Sequence, residues 1–415
     1  MRRKIINFLK RHPAILRFFW FVVRCALGFV GLFIRVKPKT MVFASFGGRK
    51  FDDSPKAIYD GVCKDAFFDD WKLIWAFNDP SAFAIPRGEK VKMDTWSFFK
   101  CLLSANVWVS NSGMDRGIGL PKKRKRIRVE TWHGTPLKKI GGEENTASIG
   151  GKRKKTSRKK RDNKTIRCAQ SEFDREIFAR LFHAEKEAIL LSDFHGDRMR
   201  NLRRYYPFFC LQNTDEEKRK IREGLGVADG KKIILYMPTY REYLVDSDNK
   251  TYLAPPMDME KWEKKLGDKY CLLMRAHYAV EAALALKETE FVKTVSAYPT
   301  LNDLYAVADI MISDYSSAFF DYSILDRPMF CFAYDLAEYE EKRGLYLPLK
   351  ETLPCAVCAT EDELLADILQ TDTQEASERT KAFHARFAPF AGKATETVVE
   401  KIKQRVQEQD KKKVS

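Results

Sequence analysis

The segment Asp309-Ile-Met-Ile-Ser-Asp-Tyr-Ser-Ser-Ala-Phe-Phe-Asp321 carries the densest structural signal in the 415-residue chain. Ile310 to Ile312 form a short apolar run bounded by polar residues, the pattern of a buried strand. Ser313, Asp314 and Tyr315 supply a turn, and a helix is expected to open at Ser316-Ser317. A strand that ends in a tight turn and starts a helix leaves unbonded backbone N–H groups pointing out of the sheet. Those groups and the positive end of the helix dipole favour an anion, typically phosphate. The two serine hydroxyls either cap the helix or add donors to that anion; the segment alone permits both.

Working outward, the same strand–turn–helix grammar recurs on both sides. Downstream, Met329–Ala333 is expected to be a strand ending in Tyr334-Asp335. Upstream lie Lys232-Ile-Ile-Leu-Tyr-Met237, ending in Pro238-Thr-Tyr-Arg-Glu242, then Tyr270-Cys-Leu-Leu-Met274, ending in Arg275-Ala-His277, and Phe291–Val295. An earlier series begins at Thr40. It comprises strands Met41–Ser45, Trp71–Phe77, Val107–Ser110, Thr165–Ala169 and Ala188–Leu191, with helices around Pro55–Cys63 and Thr95–Ala105. Strands alternating with helices imply parallel sheets. The expected fold class is therefore α/β, with two Rossmann-like domains facing each other across a cleft. The polar linker Gln212-Asn-Thr-Asp-Glu-Glu217 separates them. The expected division is a basic segment over 1–38, a first domain over 39–210, a second over 211–390, and a C-terminal helix with a basic tail over 391–415. In open α/β sheets ligands bind at the carboxyl ends of the strands, where this chain places most of its polar strand-end residues.

Lys plus Arg number 74 against 57 for Asp plus Glu, a net charge of +17. That excess implies an acidic partner such as anionic lipid, a phosphorylated substrate or nucleic acid. The nine cysteines are scattered. Only Cys355 and Cys358 form a CxxC, with no second pair to complete a zinc site, so a reduced setting is the default. Residues 14–36 are mostly apolar but contain Arg17 and Arg24, and a central Arg is costly in a membrane span. Arg3, Lys10, Arg17 and Arg24 lie seven apart, which on a helix makes one basic stripe. The expectation is an amphipathic segment lying on an anionic membrane surface, with Trp20 and the Phe residues inserted. Two basic runs, Lys122–Arg128 and Lys152–Arg161, read as solvated loops at the mouth of a site.

Among six histidines, His133 and His277 end strands in different domains. His133 precedes Gly134, which admits close backbone approach to a ligand. His277 follows Arg275 by two, so both side chains share one face of an extended segment. Arg275 and Arg241 are read as bidentate phosphate grips. A phosphate-dense pocket with a histidine opposite suggests phosphoryl transfer to a hydroxyl, with His133 as general base and Arg and helix N–H groups stabilising phosphate charge. The chemistry demands no metal and no cofactor. Asp246-Ser-Asp248 spells a carboxylate pair but lies in a polar loop and reads as solvated.

Trp-His-Gly-Thr-Pro-Leu-Lys at 132–138, Pro238-Thr239, Arg275-Ala-His277, Ile312-Ser-Asp-Tyr-Ser-Ser317 with Asp321, Asp326-Arg-Pro328, Tyr334-Asp335 and Arg343-Gly-Leu-Tyr346 together resemble the CDP-glycerol glycerophosphotransferases of teichoic acid synthesis. The resemblance runs in order over roughly residues 40–370. It implies a GT-B-like fold that transfers a polyol phosphate from CDP-glycerol or another CDP-polyol to an undecaprenyl-diphosphate-linked saccharide or polymer, releasing CMP at the cytoplasmic face of the membrane. It puts the donor site on Trp132, His133, Gly134, Thr135, Pro136, Pro238, Thr239, Arg275, Ala276, His277, Ser316, Ser317 and Asp321. On that view His133 is a donor-phosphate ligand rather than a base, and both roles stay open. The family's Gly-x-Pro-Arg-Asn-Asp segment has its nearest counterpart in Gly196-Asp-Arg-Met-Arg-Asn201, making Arg200, or Arg198, a donor contact. The family's Pro-Gly-Pro is replaced by Leu353-Pro-Cys-Ala356.

Two other readings compete. One is a nucleotide-sugar glycosyltransferase of the same fold. The other is a basic RNA- or membrane-binding protein without chemistry. Charge alone allows the latter, but it leaves the strand-end His, Arg and Ser residues of both halves without a role, and no nucleic-acid partner is expected.

Overall fold

A computed structural model describes residues 13–115, 118, 120, 126–145, 165–190, 213–241, 255–276, 287–389 and 394–414. His277, Arg198, Arg200, the Asp246–Asp248 pair, the 152–161 basic run, Arg3 and Lys10 lie outside the described residues.

The alternation of apolar strands and amphipathic helices resolves into two wholly parallel sheets. The first holds β1 (Lys37–Ala44), β2 (Lys72–Phe77), β3 (Glu89–Lys92), β4 (Ala105–Ser110), β5 (Ile127–Glu130), β6 (Thr165–Cys168) and β7 (Ile189–Leu190), in the order β3-β2-β1-β4-β5-β6-β7. The second holds β8 (Lys232–Met237), β9 (Tyr270–Met274), β10 (Val292–Thr294), β11 (Ile310–Ser313), β12 (Met329–Phe332) and β13 (Val357–Cys358), in the order β10-β9-β8-β11-β12-β13. Both sheets run outward from their first strand in one direction and then reverse. The reversal falls between β1 and β4 in one sheet and between β8 and β11 in the other, with Val42 opposite Trp108 and Ile312 opposite Tyr236. Such switch points open a crevice at the carboxyl edge. They single out the turns after β1, β4, β8 and β11 for function.

The central strands are buried on both faces. Met41–Ala44, Val107–Val109, Ile233–Tyr236 and Met311–Ile312 are all at most 4% exposed, as parallel strands covered by helices must be. Where strands were missed or misjudged, the reason is visible. β3 carries only one buried residue, Val91, among charged neighbours, and β13 is two residues long inside the CxxC, whose Cys355 and Cys358 are free thiols. β10 is shorter than the expected strand Phe291–Val295 because only Val292–Thr294 pairs with β9. Of the first basic run, Arg126 corrects the expectation of a solvated loop. It is 7% exposed, donates to the Leu103 and Ala105 carbonyls and lies 4.2 Å over Trp108. Burial, then Arg128, pulls its guanidinium down to about 10.

Two terminal helices pack on the first domain, one of them returning from the far end of the chain. The C-terminal helix Ala394–Val414 returns to the first sheet, burying Val398, Val399 and Ile402 in its core. A Cβ on Gly61 would meet Thr395 and Val399 methyls at 2.9 and 3.1 Å, so a larger residue in the helix Asp53–Lys64 would force this neighbour to shift. The N-terminal helix Pro13–Phe33 starts at proline, which the first helical position tolerates. Leu27, with Val23, Val30 and Ile34 beside it, docks on the first domain's core. Their spacing puts them on one stripe. Phe18, Phe21, Phe29, Leu32 and Phe33 on the other side are 61–77% exposed. Among the described residues no helix is long and apolar enough to cross a membrane.

Candidate functional site

The first domain brings three strand-end turns together through Asn111, just past β4. Its side-chain carbonyl accepts the Phe46 N–H at 2.8 Å, fixing the Phe46–Gly48 turn after β1. Its backbone carbonyl lies 2.8 Å from Nδ1 of His133, just past β5. A carbonyl can only accept, so Nδ1 carries the proton and Nε2 is the basic nitrogen of the neutral ring. Asn111 is 1% exposed. Sequence reading passed over it because it follows the apolar run; its place at the switch point is the signal that identifies it.

Trp132 adopts a left-handed φ of 59°, a strained conformation for a bulky residue. It turns the chain so that the indole stacks on the His133 ring at 4.6 Å, while Phe178 and Phe182 pack behind. Gly134 and Pro136 continue the loop. Thr135, 1% exposed, donates to Asp174 at 3.2 Å. Asp174 also accepts from the Gln170 N–H and bonds the Ser171 hydroxyl. Burial nevertheless pushes its carboxyl up to about 7, and the Asp321 carboxylate from the second domain pushes the same way. Asp321, on the helix Ala318–Tyr322 of the second domain, is 3% exposed.

The second domain builds its edge around a buried guanidinium. Arg241 donates Nε and Nη2 to Asp335 at 2.7 Å each, and Nη1 to Asp314 at 2.8 Å and the Thr239 carbonyl at 2.6 Å. Tyr315, Tyr334 and Tyr339 lie 4.7–5.3 Å from its centre. Burial alone would depress Arg241; Asp314 and Asp335 more than offset that and hold it above its usual range. This corrects the reading of Arg241 as a phosphate grip. At 1% exposure, with its fork closed on two carboxylates, it ties the ends of β8, β11 and β12 together. Asp314 in turn accepts the Thr239 and Tyr315 N–H groups at 2.9 and 2.7 Å. These bonds orient the turn after β11. Tyr315 completes the unit by donating to Asp335 at 2.8 Å.

On this platform the helix Ala318–Tyr322 opens with Ser317 at its N-cap, and the Ser317 hydroxyl makes no cap bond. Ser316 accepts the Ala318 N–H at 3.1 Å. The two serines, equivalent in sequence, differ in structure: Ser316 caps, and Ser317 does not. Beside them Pro238 and Thr239 end β8, with the Thr239 hydroxyl buried and unbonded among the described residues. Arg275 and Ala276 end β9. Arg275 Nη1 is spent on the Val295 and Tyr298 carbonyls at 3.0 and 2.9 Å, so a full two-nitrogen grip on phosphate requires its Nε–Nη2 edge. Facing it from the first domain is Lys50, which reaches the Pro299 carbonyl at 3.3 Å. Burial, then the Arg275 charge, lowers Lys50 below the usual lysine range. Nearby, burial lifts Asp52 to about 6. Lys50 is a cleft cation absent from the sequence reading. No cluster of three or more His, Cys, Asp or Glu residues able to hold a metal occurs among the described residues.

The family model for CDP-glycerol:poly(glycerophosphate) glycerophosphotransferase matches residues 27–404. The chain is 33% identical to a teichoic acid poly(glycerol phosphate) polymerase of Staphylococcus epidermidis, over 90% of this chain and 52% of that protein, so it spans about half of that relative's length. It is 28% identical to a polymerase of the same description from Bacillus spizizenii, over 97% of this chain and 100% of that one. A solved structure of the wall teichoic acid polymerase TagF matches with a TM-score of 0.79 at 29% identity, covering 99% of both chains. A TagF variant soaked with CDPG matches at 0.78 and 28%, again over 99% of each. A UDP-GlcNAc 2-epimerase from Neisseria meningitidis, at 12% identity and a TM-score of 0.52 over 88% of this chain and 99% of that one, shares the fold alone.

Proposed function

The chain belongs to the CDP-glycerol:poly(glycerophosphate) glycerophosphotransferase family, and on that premise we propose that it transfers glycerol phosphate from CDP-glycerol to a hydroxyl of a lipid-linked saccharide or glycerol-phosphate chain. The acceptor oxygen bonds the phosphorus that carries glycerol, the bridging P–O bond breaks, and CMP leaves with the bridging oxygen. His133 Nε2 takes the hydroxyl proton. The first domain presents the acceptor and the second the donor. Ser317, Ser316, Thr239 and the free edge of Arg275 bind donor phosphates, together with the backbone N–H groups at the start of the helix Ala318–Tyr322. His277 and Arg200 complete the donor site. Arg241 acts through the turn it holds and does not touch the substrate.

The observation that carries this reading is the His133 tautomer. A proton fixed on Nδ1 by the Asn111 carbonyl leaves Nε2 basic, on a loop whose Thr135 bonds Asp174, a carboxyl that feels the charge of Asp321 on the donor-side helix. The helix Pro13–Phe33 lies on the inner membrane surface, its Phe18, Phe29 and Phe33 face inserted and Arg24 and Arg35 near anionic headgroups. That brings a lipid-linked acceptor to the cleft. The test is to incubate the full chain with CDP-glycerol, CDP-ribitol and nucleotide-sugars in turn, each with a lipid-linked acceptor, and to read nucleotide release. CMP from CDP-glycerol supports the proposal; turnover with nucleotide-sugars alone refutes it.

A further inference from the structure

The segment after the His133 loop and the segment after β12 exchange side chains between the two domains. Leu137, from the first domain, is 1% exposed in the core of the second among Leu235, Tyr315 and Phe319. Tyr346, from the second domain, packs into the first domain's small cluster of Ile177 and Phe178, the cluster that also seats Trp132. Between them runs a two-strand clasp. Lys139 N–H donates to the Gly344 carbonyl at 2.9 Å, Tyr346 N–H donates to the Leu137 carbonyl at 2.8 Å, and Lys138 faces Leu345 antiparallel. The Tyr346 hydroxyl donates to Glu143 at 2.6 Å and accepts the Ile140 N–H at 3.3 Å. Glu143 is gripped at both oxygens by Arg180, at 2.7 and 3.0 Å. That pair holds the Glu143 carboxyl below its usual range. Gly344 has a φ of 80°, a left-handed conformation that favours glycine, and a Cβ there would also press on the Lys139 and Asn145 side chains at 2.8–2.9 Å.

Leu137, seated in the other domain, lies only four residue steps after His133, which is tied to Asn111. An extended chain of that length spans at most about 14 Å. The two domains therefore cannot part at this point without pulling the loop out of one of its two seats. We propose that Tyr346, with Glu143 and Arg180, is a positioning residue for the transfer reaction. Resting on the assignment of His133 as base, the clasp makes the base loop move with the donor domain, and any opening of the cleft pivots about residues 137–139 and 344–346. Tyr346 acts on His133 through the shared packing with Trp132, and it touches no substrate.

Tyr346→Phe removes one hydroxyl and keeps the ring. The expected result is a fall in kcat of roughly ten- to a hundredfold, the size of a small misplacement of a reacting group, with the KM and Kd for CDP-glycerol unchanged. An unaltered kcat, or a raised Kd with kcat intact, overturns the proposal. The Lys138–Leu345 pair is bracketed by the two backbone bonds, which makes it the non-hydrogen-bonded kind with Cα atoms about 4.5 Å apart, within disulfide range. Lys138→Cys with Leu345→Cys should oxidise readily, and turnover of the oxidised protein should stay within about twofold of the reduced protein. Single-cysteine variants serve as controls for the native thiols. Loss of turnover on oxidation and recovery on reduction would show that the clasp opens during the cycle. Amide hydrogen exchange across 137–140 and 343–347 reads the clasp without turnover: protection with and without CDP-glycerol supports it, and rapid exchange in either state overturns it. That measurement stands even if CMP release from CDP-glycerol fails, so failure of the activity and failure of the clasp are separable.

Discussion

Replacing Asp174 with asparagine should change how stability responds to pH. The carboxyl sits 2% exposed under the His133 loop. Burial holds it near 7 against an ordinary value of 3.8. Between those values the native protein keeps a proton that the unfolded chain has released. Native protein therefore binds more protons than unfolded protein, and stability falls as pH rises through that window. The contribution is flat below about pH 4 and again above about pH 7. At about 1.4 kcal/mol per pH unit the full loss is of order 4 kcal/mol, of which about 3 kcal/mol falls between pH 5 and pH 8. Asparagine keeps an oxygen for the Gln170 N–H and Thr135 hydroxyl bonds and has nothing to titrate. Urea melts of wild type and Asp174→Asn at pH 5 and pH 8 should show wild type losing about 3 kcal/mol more than the variant over that interval. If the two lose stability in parallel, Asp174 is already ionised at neutral pH in the folded protein, and the reasoning from its burial fails.

Two further outcomes follow from the described geometry. Ser316→Ala with Ser317→Ala should weaken the binding free energy for CDP-glycerol by about 1.5–3 kcal/mol for each hydroxyl that bonds charged phosphate. Calorimetry on the folded double variant checks it, and unchanged affinity would make both serines structural. Phe18→Ser, Phe29→Ser and Phe33→Ser together should release the protein from anionic vesicles in a flotation assay, since each inserted Phe contributes about 1.5–3 kcal/mol. These positions face away from the core that Leu27 enters, so the fold should survive. Continued vesicle binding would move the membrane contact elsewhere.

The α/β class and the paired parallel sheets were legible because the buried strands are continuous apolar runs and the helices between them are periodic. The motif residues were legible as strand ends. What hydrogen bonding decides was not. Arg241 and Arg275 look alike in sequence, each a strand-end arginine. Asp314 and Asp335 close on the first, whereas carbonyls take only one nitrogen of the second. Asn111 acts partly through its backbone carbonyl, which no side-chain pattern announces. Leu137 and Tyr346 stood out as motif residues, but their exchange between domains was not legible, because it joins positions 209 apart in the chain, the difference of their numbers. Arg126 sat within a basic run whose composition said surface, while its neighbour Trp108 and the Leu103 and Ala105 carbonyls, where a helix passes into β4, drew it inside.

The pH–rate profile of CMP release for wild type and His133→Ala, at saturating CDP-glycerol and acceptor, is the measurement closest to the central claim. A general base at His133 predicts that the wild-type rate falls as pH drops through imidazole titration. The variant should bind CDP-glycerol normally, turn over roughly 10²–10⁴-fold more slowly, and lack that acid limb. A His133→Ala protein that loses CDP-glycerol binding and retains the limb would contradict the claim, making His133 a phosphate ligand and sending the base elsewhere in the cleft.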